Sequence, residues 1–220
     1  MQPDRQYDNL ALVFQEALTA IERIRAGREK VADPEVFRAE MRQQFILAND
    51  EGAKRGYSRE DVRLAMFAVI ALLDESILNS RNPIFADWPR RPLQQEVFGG
   101  HQAGEVFFHN VDNLLAQPDS SVLADILEVY LLCILLGYGG KYTVMGKGEL
   151  RAVADSIAAR IRHIRGDSGL SPDWAPQGEV AAPVKGDPRL KWLTIAASTL
   201  LGLALILFIA FKISLGSSGI

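Results

Sequence analysis

The chain has 220 residues, of which 48% are hydrophobic and 23% charged, enough apolar material to bury one sizeable core or two small ones and too much for a disordered protein. A formal net charge of -3 with no local basic patch argues against a nucleic-acid partner. The single cysteine, Cys133, rules out an intrachain disulfide, and its place in an apolar helical pattern reads as a buried structural thiol.

In chain order the pattern is helical, with almost no strand alternation. Asn9 is placed to cap a first helix in which Leu10, Val13, Phe14, Ala17, Leu18, Ile21 and Ile24 recur at helical spacing until Gly27. Asp33 followed by Pro34 predicts an N-cap and a first-turn proline for a second helix, with Phe37, Met41, Phe45 and Ala48 inward and Gly56 at its end. Ser58 with Asp61 forms a capping-box pattern for a third helix running towards Asn79. Pro83 and Pro89 mark a long turn. After it come a short fourth helix near Leu93 to Phe98, a fifth from about Ala103 to Leu115 and a sixth from about Val122 to Leu136. The sixth contains VYLLCILL, apolar on every side yet too short to cross a bilayer, and is expected to be the central helix. Glu128 is its odd residue, expected either to reach solvent or to pair with Arg or Lys. A seventh helix from about Glu149 to Ile164 places Leu150, Val153, Ala154, Ile157, Ile161 and Ile164 on one face.

The remainder changes character. Residues 166–191 are rich in Gly, Pro, Asp and Ser and read as a flexible tether. Residues 192–211, WLTIAASTLLGLALILFIAF, carry no charge, and at about 1.5 Å rise each they span roughly the 30 Å hydrocarbon core. We read them as a transmembrane helix, with Trp192 at the interface and Lys191 and Lys212 at the ends. Lys185, Arg189 and Lys191 precede the span and only Lys212 follows it, so the N-terminal bulk is expected in the cytoplasm and residues 212–220 as a short periplasmic tail. The opening MQPDRQYDNL has no signal-peptide pattern. The expected fold is therefore all-α: a cytoplasmic bundle of about seven helices over residues 1–165, a tether and one C-terminal membrane helix.

Two stretches attract chemical readings. LLGYGGKY, Leu135 to Tyr142, imitates a phosphate loop, but G-x-x-x-x-G-K-[ST] fails because Leu135 lies five before Gly140 and Tyr142 follows Lys141. A dinucleotide fingerprint fails as well, since Gly137 follows a helix and Tyr142 holds the third glycine position. The physical reading is a helix stop: Gly137 in the left-handed region, Tyr138 packing back on Cys133, and Lys141 facing the carbonyl end of the sixth helix. Asp74 and Glu75 are adjacent carboxylates between an apolar stripe of Val62, Met66, Val69, Leu73 and Ile77 and a second one of Leu64, Phe67, Ala71 and Leu78. Structural pairing with a base or a neighbouring helix end is preferred for them, partner docking is the second reading, and acid-base catalysis is well behind.

Ser168 in GDSG lies in the tether, without a framework for a catalytic triad. His101, His109 and His163 lack the spacing of a zinc site, so neither a metal nor another cofactor is expected, and no catalytic residue is assigned. Gly104 and Glu105, at the opening of the fifth helix, are expected to satisfy backbone amides and the helix dipole. Ser198 and Gly202 are four apart in the membrane segment and share a face, open either to lipid or to a second helix.

Taken together, LLDESILNS, Trp88, LQQEVFGG, AGEVFF, LEVYLLCILLGYGGKY and the late membrane span resemble the DotU/TssL (IcmH-like) family of type VI secretion systems. The resemblance covers nearly the whole chain. It implies a non-enzymatic scaffold, anchored in the bacterial inner membrane beside the larger TssM (IcmF-like) protein and docking the cytoplasmic baseplate through TssK. It also implies self-association in or near the membrane segment, for which Ser198 and Gly202 are the candidates. Asp74, Glu75, Tyr138 and Lys141 are the candidate partner-binding residues, and Gly137, Gly140, Tyr142, Gly104 and Glu105 fix the turn and the bundle. Some members carry a periplasmic peptidoglycan-binding domain after the span, for which residues 213–220 leave no room, so cell-wall anchoring would come from another protein. The competing readings are a membrane-tethered helical enzyme or small-ligand receptor using the Asp74/Glu75 region, and a generic tail-anchored adaptor.

Overall fold

The computed structural model describes residues 9–100 and 102–166. Among these residues there is no strand, and the helices fall close to the expected positions. Helices α1 (Leu10–Val13) and α2 (Gln15–Arg25) replace the single first helix. The break lies at buried Phe14, whose amide donates to the Ala11 carbonyl at 3.1 Å, three residues back, so the ladder tightens there. Asn9 caps α1 by accepting from the Ala11 amide at 2.9 Å. Helix α3 (Pro34–Lys54) starts at Asp33, which accepts from the Glu35 and Val36 amides. Helix α4 (Arg59–Ser80) opens with the full reciprocal box of Ser58 and Asp61.

The proline-marked turn holds two short 3-10 segments, Pro83–Phe85 and Trp88–Arg90, before α5 (Leu93–Phe98). Helices α6 (Ala103–Leu115) and α7 (Ser121–Leu135) follow. A four-residue helix, α8 (Tyr142–Met145), adds to the expected set, and α9 (Lys147–Arg165) closes the described bundle.

Helix α7 does not hold the centre alone. It packs against α1, α4, α6 and α9, while α4 packs against α2, α3, α5, α6 and α7. Every residue of α4 from Ala65 to Asp74 is buried, so its second apolar stripe joins the core, with Leu78 exposed at the end. At the end of α7 Leu135 alone turns outward, 69% exposed beside buried Cys133 and Ile134. Periodicity reports which residues are apolar, not how many helices surround them.

Where α3 and α4 meet, Gly52 is buried, and a Cβ built there falls 2.5 Å from Val62 Cγ2. Val62 is fully buried and β-branched, with little rotamer freedom to yield. Alanine is intrinsically better than glycine in a helix by about 1 kcal/mol. Overpacking opposes that gain by about 1–3 kcal/mol. We expect Gly52→Ala to lower the denaturation midpoint, whereas Gly148→Ala in α9, which meets no atom within 4 Å, leaves it unchanged or raises it. Parallel urea melts check the pair, and a rise for Gly52→Ala would contradict the tight crossing.

Candidate functional site

Helix α4 delivers the two carboxylates to different neighbours, because consecutive helical residues point about 100° apart. Asp74 is 5% exposed and is turned towards the start of α5. Its Oδ1 accepts from Trp88 Nε1 at 2.8 Å and from the Leu93 amide at 2.9 Å, and its Oδ2 accepts from the Gln94 amide at 2.8 Å. The N-cap of α5 is Pro92, which has no side-chain acceptor, so the amides of the first turn take theirs from α4. Trp88 is also gripped from its face: Arg38 Cζ sits 3.9 Å from the indole centroid, and Phe85 and Phe37 lie at 5.6 and 6.2 Å. Arg38 is itself buried and stands as the cation nearest in role to Asp74, with Glu35 and Glu96 at 3.7 and 3.5 Å on its other sides.

Glu75 takes the glycine turn. Its Oε1 accepts from the Gly139 amide and its Oε2 from the Gly140 amide, both at 2.9 Å. Two successive backbone N–H groups converging on one anion form a nest, the device by which loops cradle phosphate. Here the anion is a carboxylate of the same chain, which explains how LLGYGGKY resembles a phosphate loop without its spacing.

The turn begins as a helix stop. Gly137 (φ +100°) lets its amide donate to the Ile134 carbonyl at 2.9 Å and the Tyr138 amide donate to the Cys133 carbonyl at 2.9 Å, which closes α7. Tyr138 is buried, with its ring 4.3 Å from Phe107 and 6.1 Å from Phe108. Gly140 (φ +48°) sits where a Cβ would meet Phe108 Cε2 at 3.0 Å and the Gly104 oxygen at 3.1 Å. Gly104 answers from α6, where a Cβ would lie 3.3 Å from the Lys141 nitrogen, and its carbonyl accepts from the Lys141 amide at 3.4 Å. Gly104 is therefore a close-approach residue, while Glu105 lies exposed in the first turn of α6.

Lys141 departs from its expected place. The carbonyls of α7 are met by the Gly137 and Tyr138 amides, and the Lys141 ammonium lies over the rings of Phe108 and Tyr142 at 5.6 and 5.2 Å. Tyr142 stacks edge-on to Phe108 at 4.6 Å. Of the four candidate partner-binding residues, Asp74 and Tyr138 are buried, whereas Glu75 and Lys141 remain partly accessible. Glu75 also borders a groove of about 520 Å3 lined by Asn79, Leu135, Thr143, Leu150 and Arg151. Ser198, Gly202, Ser168 and His101 lie outside the described residues.

Reading the sequence missed Gly139 as a nest donor and Arg38 as a buried cation. A signal for Asp74 did exist: a helix start at Pro92 with no local cap requires a remote acceptor. Of a second polar cluster the sequence showed only Glu128. Asp125 accepts from the Tyr57 hydroxyl and from Arg165, both at 2.8 Å, and Glu128 accepts from Arg165 at 2.6 Å and from Asn9 at 2.7 Å. Glu128 thus takes the arginine partner that its place in an apolar helix suggested. Among the described residues no cluster of His, Cys, Asp and Glu is arranged to hold a metal. His163 Nε2 faces Asp119 at 3.2 Å, His109 is exposed, and the Cys133 thiol is fully buried and pushed well above its usual pKa by desolvation.

Burial is the first cause acting on Asp74 and raises its pKa, against the opposing pull of Gln94, Trp88, Leu93 and Arg38. The folded protein therefore holds this proton more tightly than the unfolded chain does. Its contribution to stability is fully present below the unfolded value of 3.8 and is lost as pH rises through the raised folded value. Asp74→Asn removes that dependence, and its NH2 group sets donor against donor at one of the α5 amides, costing about 1–3 kcal/mol. Urea midpoints measured from acidic to neutral pH should show a stability difference between wild type and variant that shrinks as pH rises and then levels. A difference that grows with pH would reverse the sign assigned to burial.

Comparison with known proteins follows the same lines. The fold is shared with DotU from Francisella novicida at a TM-score of 0.56 and 18% identity, covering 72% of this chain and 99% of that one. It resembles T6SS SciP/TssL from enteroaggregative Escherichia coli 042 at a TM-score of 0.59 and 26% identity, covering 79% of this chain and 96% of that one. The cytoplasmic domain of TssL from Acinetobacter baumannii matches at a TM-score of 0.66 and 27% identity, over 71% of this chain and 99% of that one. A search of curated proteins gave no match. Residues 9–214 match the family model of the type VI secretion system protein DotU, and the chain belongs to that family.

Proposed function

We propose that this protein is a structural scaffold of the type VI secretion membrane complex, holding the cytoplasmic baseplate to the inner membrane. The carrying observation is the extent of the family match, which takes in the helical bundle and the charge-free segment 192–211 together. Among the described residues no helix is long and apolar enough to cross a membrane, so the anchor is assigned to that segment. The excess of basic residues before it supports a cytoplasmic bundle and a periplasmic tail of residues 212–220. TssM is the proposed membrane neighbour and TssK the proposed baseplate partner, both from the family resemblance, with Ser198 and Gly202 as the proposed face for self-association.

For baseplate docking we assign the groove beside Glu75, with Lys141 at the neighbouring turn. Leu135 supplies an exposed apolar contact there and Arg151 an exposed charge. Asp74 contributes indirectly, by fixing the turn before α5. The reading as an enzyme or small-ligand receptor loses its basis, because both carboxylates are committed to backbone amides of the same chain.

Two measurements test this. With Cys133 replaced by alanine, a cysteine at Ser217 should react with a membrane-impermeant thiol reagent added outside spheroplasts and one at Ser168 should not; the opposite labelling overturns the orientation. Separately, Leu135→Asp in the full-length chain should keep its helical signal and melting temperature while recovery of the baseplate protein from solubilised membranes falls about tenfold, the loss of one well-buried apolar contact. Undiminished recovery removes the groove as the docking surface. Failure of wild type to bring down any secretion component removes the scaffold role itself.

A further inference from the structure

A second groove, between α3, α4 and α5, joins apolar surface to unneutralised positive charge. Its floor is Phe45, Met66 and Phe98, Ile46 and Val97 stand exposed at its edge, and its volume is about 420 Å3, room for a few aliphatic side chains. Ile46 is 57% exposed, a large apolar side chain that the bundle leaves in water. Three arginines edge the same groove. Arg42 is matched by Glu96. Arg63 lies over the Phe98 ring at 5.1 Å, and neither it nor Arg59 has an ion pair among the described residues.

Arg59 and Arg63 are four apart on α4, so they lie on one face, one turn from each other. Arg59 is the first residue of that helix, where the positive end of the helix dipole favours a carboxylate over a cation. Its charge therefore does not stabilise the helix that carries it. A concave apolar strip with cations spaced by one helical turn is complementary to an amphipathic helix bearing carboxylates at the same spacing. A bilayer surface, by contrast, presents its charge over a plane and would not enter the groove.

We infer that this groove docks an acidic amphipathic helix of a protein partner, with apolar side chains on Phe45, Met66 and Phe98 and carboxylates on Arg59 and Arg63. The inference goes beyond the scaffold reading and uses none of the residues around Glu75. It predicts binding that weakens with salt, because the two arginines are exposed and screened.

The probes are two synthetic helical peptides with identical leucine faces, one carrying glutamates a turn apart and the other lysines, titrated against the labelled full-length chain. The acidic peptide should bind saturably and at least about tenfold more tightly than the basic one. Arg59→Glu/Arg63→Glu should invert that preference while the helical signal and a cooperative melt are retained, and Ile46→Asp should weaken the acidic peptide while leaving the fold intact. Equal binding of the two peptides, no saturable binding of the acidic one, or a preference that survives the double reversal overturns the proposal. So does either alternative occupant: anionic phospholipid vesicles binding through these arginines where the peptide does not, or self-association of the chain abolished by the double reversal.

Discussion

The bundle depends on two adjacent carboxylates of one buried helix satisfying backbone amides that nothing local can reach. Pro92 gives α5 no side-chain cap, and the glycines at 139 and 140 offer their own amides no acceptor; Asp74 and Glu75 meet both needs from the same turn of α4. Hydrogen bonds to a charged group are worth about 1.5–3 kcal/mol each, and a buried amide left without a partner costs about 1–3 kcal/mol. The cost on the other side is desolvation, visible in the raised pKa of Asp74. Three donors and the nearby Arg38 cation oppose it without cancelling it.

This arrangement also bears on function. A nest that already holds an internal anion has no vacancy for phosphate, and its carboxylate is no longer free to act as a base. The glycine turn is instead a structural element tied to three helices, with Gly139 buried and Lys141 partly accessible. It is fixed from below by Glu75, from the side by Gly104 and above the aromatic cluster of Phe107, Phe108 and Tyr138. Such a tied turn suits the scaffold role proposed above better than a catalytic one. The Arg165 cluster extends the same principle, linking the end of α9 to α7, the start of α1 and the turn before α4.

Polar residues therefore divide in two. Those in the core each have a named partner: Asp74 and Gln94 take backbone groups, Ser76 accepts from Arg25, Asp125 accepts from Tyr57 and Arg165, and Arg38 lies against Trp88 between Glu35 and Glu96. Others, such as Arg59, Arg63 and Arg151, face outward beside exposed apolar side chains, where a protein surface would be expected to meet another.

Sequence by itself determined most of the helices and several of their ends, though not the break at Phe14 or the four-residue α8. Asn9, Asp33, Ser58 with Asp61, and Gly137 act within one turn of their own position, so local chemistry is sufficient to identify them. The family was legible for a related reason, since the order of short motifs survives in the linear chain. Tertiary structure alone decided where Asp74 and Glu75 point, that Lys141 rests on aromatic rings, that α4 shares the centre with α7, and that Leu135 faces water. Each of these depends on partners many residues away, such as Gln94 for Asp74 and Gly139 for Glu75. A periodic pattern fixes which side of a helix is apolar, but only packing fixes what that side meets.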